Sequence, residues 1–164
     1  VVDEDRDGAG EFGTFADLSG AEPPRGRDAV LHPAVLSGAF RTRSLRGEVS
    51  RSGYLFQLWL PAKEGTFVSE MTRNIGAGVL DPAAAETRWR CYAWPARYDH
   101  CGLRTFFIDD AGDIWATDDE RYSGSGSGPA PDAATPRPGT LVPETASTAA
   151  TFTGADGNTW TRVN

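Results

Sequence analysis

The clearest alternation of apolar and polar positions lies in "SGYLFQLWLP". There Tyr54, Phe56, Leu58 and Leu60 share one face at period two, and Leu55, Gln57 and Trp59 share the other. That spacing predicts a strand ended by Pro61. Three more segments, "TRWRCYAWP", "LRTFFID" and "DIWATDD", predict strands, the last two joined by "DAG", a hairpin turn in which Gly112 is free to adopt positive φ. The second face of this meander carries Trp89, Phe106 and Trp115 or their neighbours, too apolar to be fully wet, so a cover is required and a helix is the economical one. Two short helices are predicted. "TFADL" has Thr14 as N-cap with Asp17 three residues on, and "DPAAAET" has Asp81 ahead of Pro82 at the first helical position. "AVLHPAVLSGAF" is apolar but interrupted by Pro33, which leaves a short turn or irregular packing. The fold class expected is α+β: an antiparallel β-meander of about four strands with short helices packed on one face.

After Tyr122 the pattern dissolves into "SGSGSGPAPDAATPRPGT", a Gly/Ser tether stiffening into a Pro/Ala segment. The expected division is a globular head over residues 1–122, a linker over 123–140, and an extension over 141–164 that docks on the head. The extension is an extended tail ending in a hairpin around the Gly154–Asn158 turn. At 164 residues the chain is one domain, or one domain with an appendage, and five Trp and eight Phe supply a real core. The net charge of −7 and pI near 4.8 argue against a nucleic-acid partner, which needs a basic footprint. The cluster Arg41, Arg43, Arg46 and Arg51 reads as a solvated edge.

Catalytic chemistry finds little to work with, so the chain reads as a non-enzyme with no catalytic residues. His32 and His100 are the only histidines, and the adjacent Asp99-His100-Cys101 point apart on an extended chain. Zinc spacing is lacking, and "GSGSG" has no following Lys-Ser/Thr to make a phosphate loop. Cys91 and Cys101 suit a single disulfide in an oxidising compartment, since "YAWPARYDH" between them can turn back. The alternative is two reduced, partly buried thiols.

The opening "VVDEDRDGAGEFGTF" changes the picture most. Asp3, Asp5, Asp7 and Gly8 match positions 1, 3, 5 and 6 of a calcium loop. Ala9 offers a backbone carbonyl at position 7 and Glu11 falls at position 9. Position 12 should be a bidentate Glu and is Thr14, which rules out a regulatory EF-hand. Two readings stand open: a structural Ca2+ site on Asp3, Asp5, Asp7, Ala9 and Glu11, completed by Asp17 or a distant carboxylate, or a solvated acidic turn. A second acidic cluster, Asp109, Asp110, Asp113, Asp118 and Asp119, surrounds the hairpin, where Asp is favoured for backbone reasons alone.

These stretches, taken in order, resemble the soluble head of type IV pilin-like proteins and type II secretion pseudopilins. The likeness is closest to the large prepilin-type sets of planctomycete-like bacteria. It covers about residues 1–122: the acidic loop, the short glycine-bounded helix, then a meander with a Y-x-Y/W-P segment followed by G-x-R-x-F-F-I/V-D/N-x-x-G-x-I. Tyr92, Trp94, Pro95, Gly102, Arg104, Phe106, Phe107, Ile108, Asp109, Gly112 and Ile114 meet that pattern. The resemblance implies a structural subunit of a pilus or pseudopilus in the cell envelope or extracellular space. Its partners would be other such subunits and, through an apolar helix ahead of Val1, the inner membrane. The head alone would be a monomer. A secreted adhesion module using the aromatics of "YAWPARYDH" is the competing expectation.

Overall fold

The structure, a computed structural model, describes residues 3–70, 75, 78–136 and 151–163. Among these, eight strands form one antiparallel sheet with few short helices, a sheet-rich α+β architecture. The strands are β1 (Val49–Arg51), β2 (Tyr54–Pro61), β3 (Phe67–Ser69), β4 (Arg90–Pro95), β5 (Arg104–Asp109), β6 (Ile114–Asp118), β7 (Thr151–Thr153) and β8 (Thr159–Arg162). Their order is β1-β2-β4-β5-β6-β8-β7, with β3 pairing to the distal half of β2. The four expected strands are thus the centre of a larger sheet. Strands β1, β3 and β7 have three residues each, too few for a period of two to show in sequence.

Register decides what each face carries. Gln57, Tyr92, Phe107 and Trp115 stand opposite one another across β2, β4, β5 and β6, and so do Leu58, Cys91, Ile108 and Ile114 on the other side. The first face holds the main core: Leu55, Tyr92, Trp94, Phe107, Trp115 and Trp160, with Tyr122, Ala133 and Ala134 packed over them. Trp94 and Trp160 are fully buried. The second face holds a smaller cluster of Phe15, Val49 and Leu58, flanked by Leu36, Phe40, Phe56, Trp89 and Cys91. Phe106 pairs with Ala116 and Phe107 with Trp115, so Phe106 and Trp115 lie on opposite faces rather than sharing one as the sequence suggested.

Helix α1 (Phe15–Ser19) starts at the expected capping box: Thr14 Oγ1 accepts from the Asp17 amide at 3.2 Å, and Asp17 Oδ2 accepts from the Thr14 amide at 2.8 Å. It packs through Phe15 onto Phe40 of the 3-10 turn Gly38–Phe40, and Phe40 onto Phe56, with ring centroids 5.1 and 5.7 Å apart. Helix α2 (Pro82–Ala85) is capped by Asp81, whose carboxylate accepts from the Ala84 amide at 3.1 Å. These elements do not supply the cover for the main core. That cover is the chain after Tyr122.

The linker expectation is corrected here, because residues 123–136 are packed rather than a flexible tether. Trp94 Nε1 donates to the Gly124 carbonyl at 2.9 Å, and Tyr92 donates to the Pro131 carbonyl while accepting from the Ala134 amide at 3.1 Å. The buried Glu48 carboxylate accepts from Ser44, from Ser125 and from the Gly126 amide, tying this segment to the start of β1. Small residues let the segment lie this close: a Cβ on Gly154 would collide with the Ala133 carbonyl and the Trp160 ring. The terminal hairpin, β7 with β8, joins the main sheet through Trp115 and Ala116 of β6. Residues 137–150, which include the rest of the expected linker, lie outside the described residues.

Candidate metal centre

The opening loop is folded by its own aspartates. The Asp7 amide donates to Asp5 Oδ1 at 3.3 Å and the Ala9 amide to Asp7 Oδ1 at 2.8 Å. Gly8 has φ +94°, a left-handed conformation that bends the chain at the position where a calcium loop needs its glycine. The result is convergence: one carboxylate oxygen from each of Asp3, Asp5 and Asp7 lies within 4.8 Å of the others. That spacing is about the diameter of a calcium coordination shell, given oxygen distances of about 2.3–2.6 Å.

Glu11, unlike the three aspartates, is buried, with only 2% of its surface exposed. Its Oε1 accepts from the Glu4 amide at 2.7 Å, while its Oε2 is buried with no hydrogen-bond partner. Immediately after Glu11 the chain is fastened to α2 by the Phe12 amide donating to the Ala85 carbonyl at 2.8 Å. Glu86, the next residue after Ala85, closes α2. Glu86 Oε1 is likewise buried without a partner. Burial raises the Glu86 carboxyl above its ordinary value, and the charges of Asp7, Asp5, Glu11 and Asp3 push it further the same way. Among the described residues no arginine or lysine forms an ion pair with any of these five carboxylates. Arg25 reaches instead to Glu4 and Asp17 at 3.5 and 3.6 Å.

The residues considered from sequence as completing the site sort clearly. Asp17 is spent on the α1 cap and Arg25, and Thr14 on the same cap, so neither faces the loop interior. Glu86, 75 residues beyond Glu11 in sequence, is not among the carboxylates that converge; among the described residues those are Asp3, Asp5 and Asp7. Ala9 sits exposed at its loop position.

The disulfide expectation is corrected: both cysteines are free thiols. Cys91 is the second residue of β4, opposite Leu58, whereas Cys101 lies beyond the other end of the strand, over Gly53. Gly53 and Leu58 are five residues apart, roughly 15 Å along a strand, well beyond the Cα span of a disulfide. The "YAWPARYDH" segment is not an aromatic loop either. Tyr92 and Trp94 are fully buried on β4, and Tyr98 donates to Asp118 Oδ1 at 2.5 Å. The acids around the β5–β6 turn are engaged singly: Asp113 pairs with Arg162, Asp119 with Arg121 and Asn158, and Asp109 Oδ1 accepts from the Ala111 amide. His32 and His100 are both exposed, and His100 contacts Arg97. No family model matches the chain, and no curated protein or solved structure matches it.

Proposed function

We propose that this chain is the head of a non-enzymatic structural subunit of the type IV pilus or type II secretion pseudopilus kind. The observation that carries the reading is the uneven covering of the sheet. The first face is sealed by residues 122–136 and the terminal hairpin. On the second face the cover of α1 and the 3-10 turn stops at Phe56, Leu58 and Cys91. Beyond it Phe106 and Ile108 stay half-buried and Ile114 is 43% exposed. A filament subunit is held by packing rather than chemistry, and an apolar strip left uncovered beyond a smaller core is the kind of surface it needs.

The pattern that carries the resemblance also has a physical role here. Tyr92, Trp94 and Phe107 are core residues of β4 and β5, and Gly112 lies in the turn before β6. The pattern therefore spans β4, β5 and the start of β6. In this reading an apolar helix ahead of the acidic loop anchors the subunit in the inner membrane and in the filament. The head faces outward in the cell envelope. The adhesion alternative has lost its aromatic loop, since Tyr92 and Trp94 are interior.

The test is cellular fractionation with an antibody to the head. The reading expects the protein in the sheared, high-molecular-weight filament fraction, and expects it back in the membrane when the assembly ATPase is deleted. Recovery only as a free monomer in the culture fluid, unchanged by that deletion, overturns it.

A further inference from the structure

We propose that the trough where β6 and β8 part is a binding site for a neutral, hydroxyl-rich ligand, a short oligosaccharide. The ladder between these strands has two pairs, Trp115 with Arg162 and Ala116 with Thr161. It continues at one end, where the Val163 amide donates to the Ile114 carbonyl at 2.8 Å. At the other end the next pair in register, Asp118 with Thr159, does not form, although both residues belong to their strands. Antiparallel alternation turns the amides and carbonyls of Asp118 and Thr159 toward that gap. The gap opens into a trough of about 670 Å³, within the range of small-ligand sites, lined by Arg104, Asp118, Thr159 and Thr161 beside the buried Ala116.

Register sets these side chains on one side of the sheet. Arg104 stands opposite Asp118, Thr161 stands opposite Ala116, and Thr159 is two residues along β8. Little of this polar set is spent inside the protein. Arg104 is exposed and forms no ion pair or hydrogen bond among the described residues. Asp118 accepts from the Tyr98 hydroxyl through Oδ1, which leaves Oδ2 open to another donor. The hydroxyls of Thr159 and Thr161 are exposed.

The chemistry of the lining selects the ligand. A guanidinium and a carboxylate facing one another disfavour a small anion and a small cation alike, since each would meet a like charge. The polar wall disfavours a lipid tail, which needs an apolar one. A vicinal diol suits both charged groups: it accepts from the planar fork of Arg104 and donates to Asp118. The threonine hydroxyls and the backbone groups at the gap serve further hydroxyls in either sense. Ala116 and Val163 add a small apolar surface for the C–H face of a sugar ring. The inference rests on this geometry and is independent of the filament reading.

The test presents the whole chain to an array of immobilised neutral and acidic oligosaccharides, and each hit is measured by calorimetry with the free glycan. Arg104→Ala and Asp118→Asn change exposed side chains, and circular dichroism verifies that each variant is folded. The proposal expects a neutral oligosaccharide among the hits and affinity lowered by at least about tenfold in each variant. Amide chemical shifts of the isotope-labelled parent give a second readout, expected to move at Asp118, Thr159 and Thr161. Binding of acidic glycans alone, unaffected by Asp118→Asn, overturns the neutral-ligand assignment. No hit on the array, shifts confined to another part of the chain, or unchanged affinity in both folded variants overturns the site.

Discussion

At the scale of single residues, the two cysteines illustrate how environment divides identical side chains. Burial pushes the Cys91 thiol up to about 12, with Glu70's charge adding to it, whereas Cys101 is exposed. Titration with an aromatic disulfide reagent should therefore release one equivalent quickly from the folded protein and a second only on denaturation. Complete silence in denaturant without reductant would mean the two are joined after all. Sequence could not separate them, because spacing brought Cys91 and Cys101 near in number while strand register carried them apart. The aspartates and Gly8 were legible because acids alternating ahead of a glycine are a local pattern, whereas the fastening of Phe12 to Ala85 joins distant residues and leaves no local signature.

At the scale of elements, the strands long enough to alternate were legible, and β2, β4, β5 and β6 stand where the periodicity placed them. The capping box at Thr14 and Asp17 was equally readable, since both partners sit within one turn. What misled was composition. A Gly/Ser/Pro/Ala stretch ordinarily signals a tether, but here small residues allow close approach to Trp94 and Trp160, and Glu48 fastens the segment from 77 residues away. Glu48→Ala removes a buried acceptor of several hydrogen bonds and should lower stability by about 2–3 kcal/mol. Hydrogen exchange should then rise in residues 123–128 ahead of the β4–β5 core. Uniform exchange changes, or none, would mean that the segment is held by packing alone.

For the molecule as a whole, pH should act through its buried acids. Desolvation raises Glu70 and Asp109 above the ordinary carboxylate value, so the folded chain holds these protons more tightly than the unfolded one. Their contribution to stability is fully present below the unfolded pKa and is lost as pH rises through the raised folded values. Asp119 works the other way. Hydrogen bonding to Arg121 lowers it, and that stability is present above the ordinary value and lost as pH falls through the lowered one. In calcium-free denaturant titrations, Glu70→Gln should flatten the decline in stability seen as pH rises above the ordinary carboxylate range. An unchanged slope would assign that decline elsewhere.

The most direct measurement is electron cryo-microscopy of sheared filaments from cells that express the chain. The account predicts this head as a repeating subunit, with the strip of Phe106, Ile108 and Ile114 packed against a neighbouring subunit. Filaments that lack the head, or a strip left facing solvent, would contradict it.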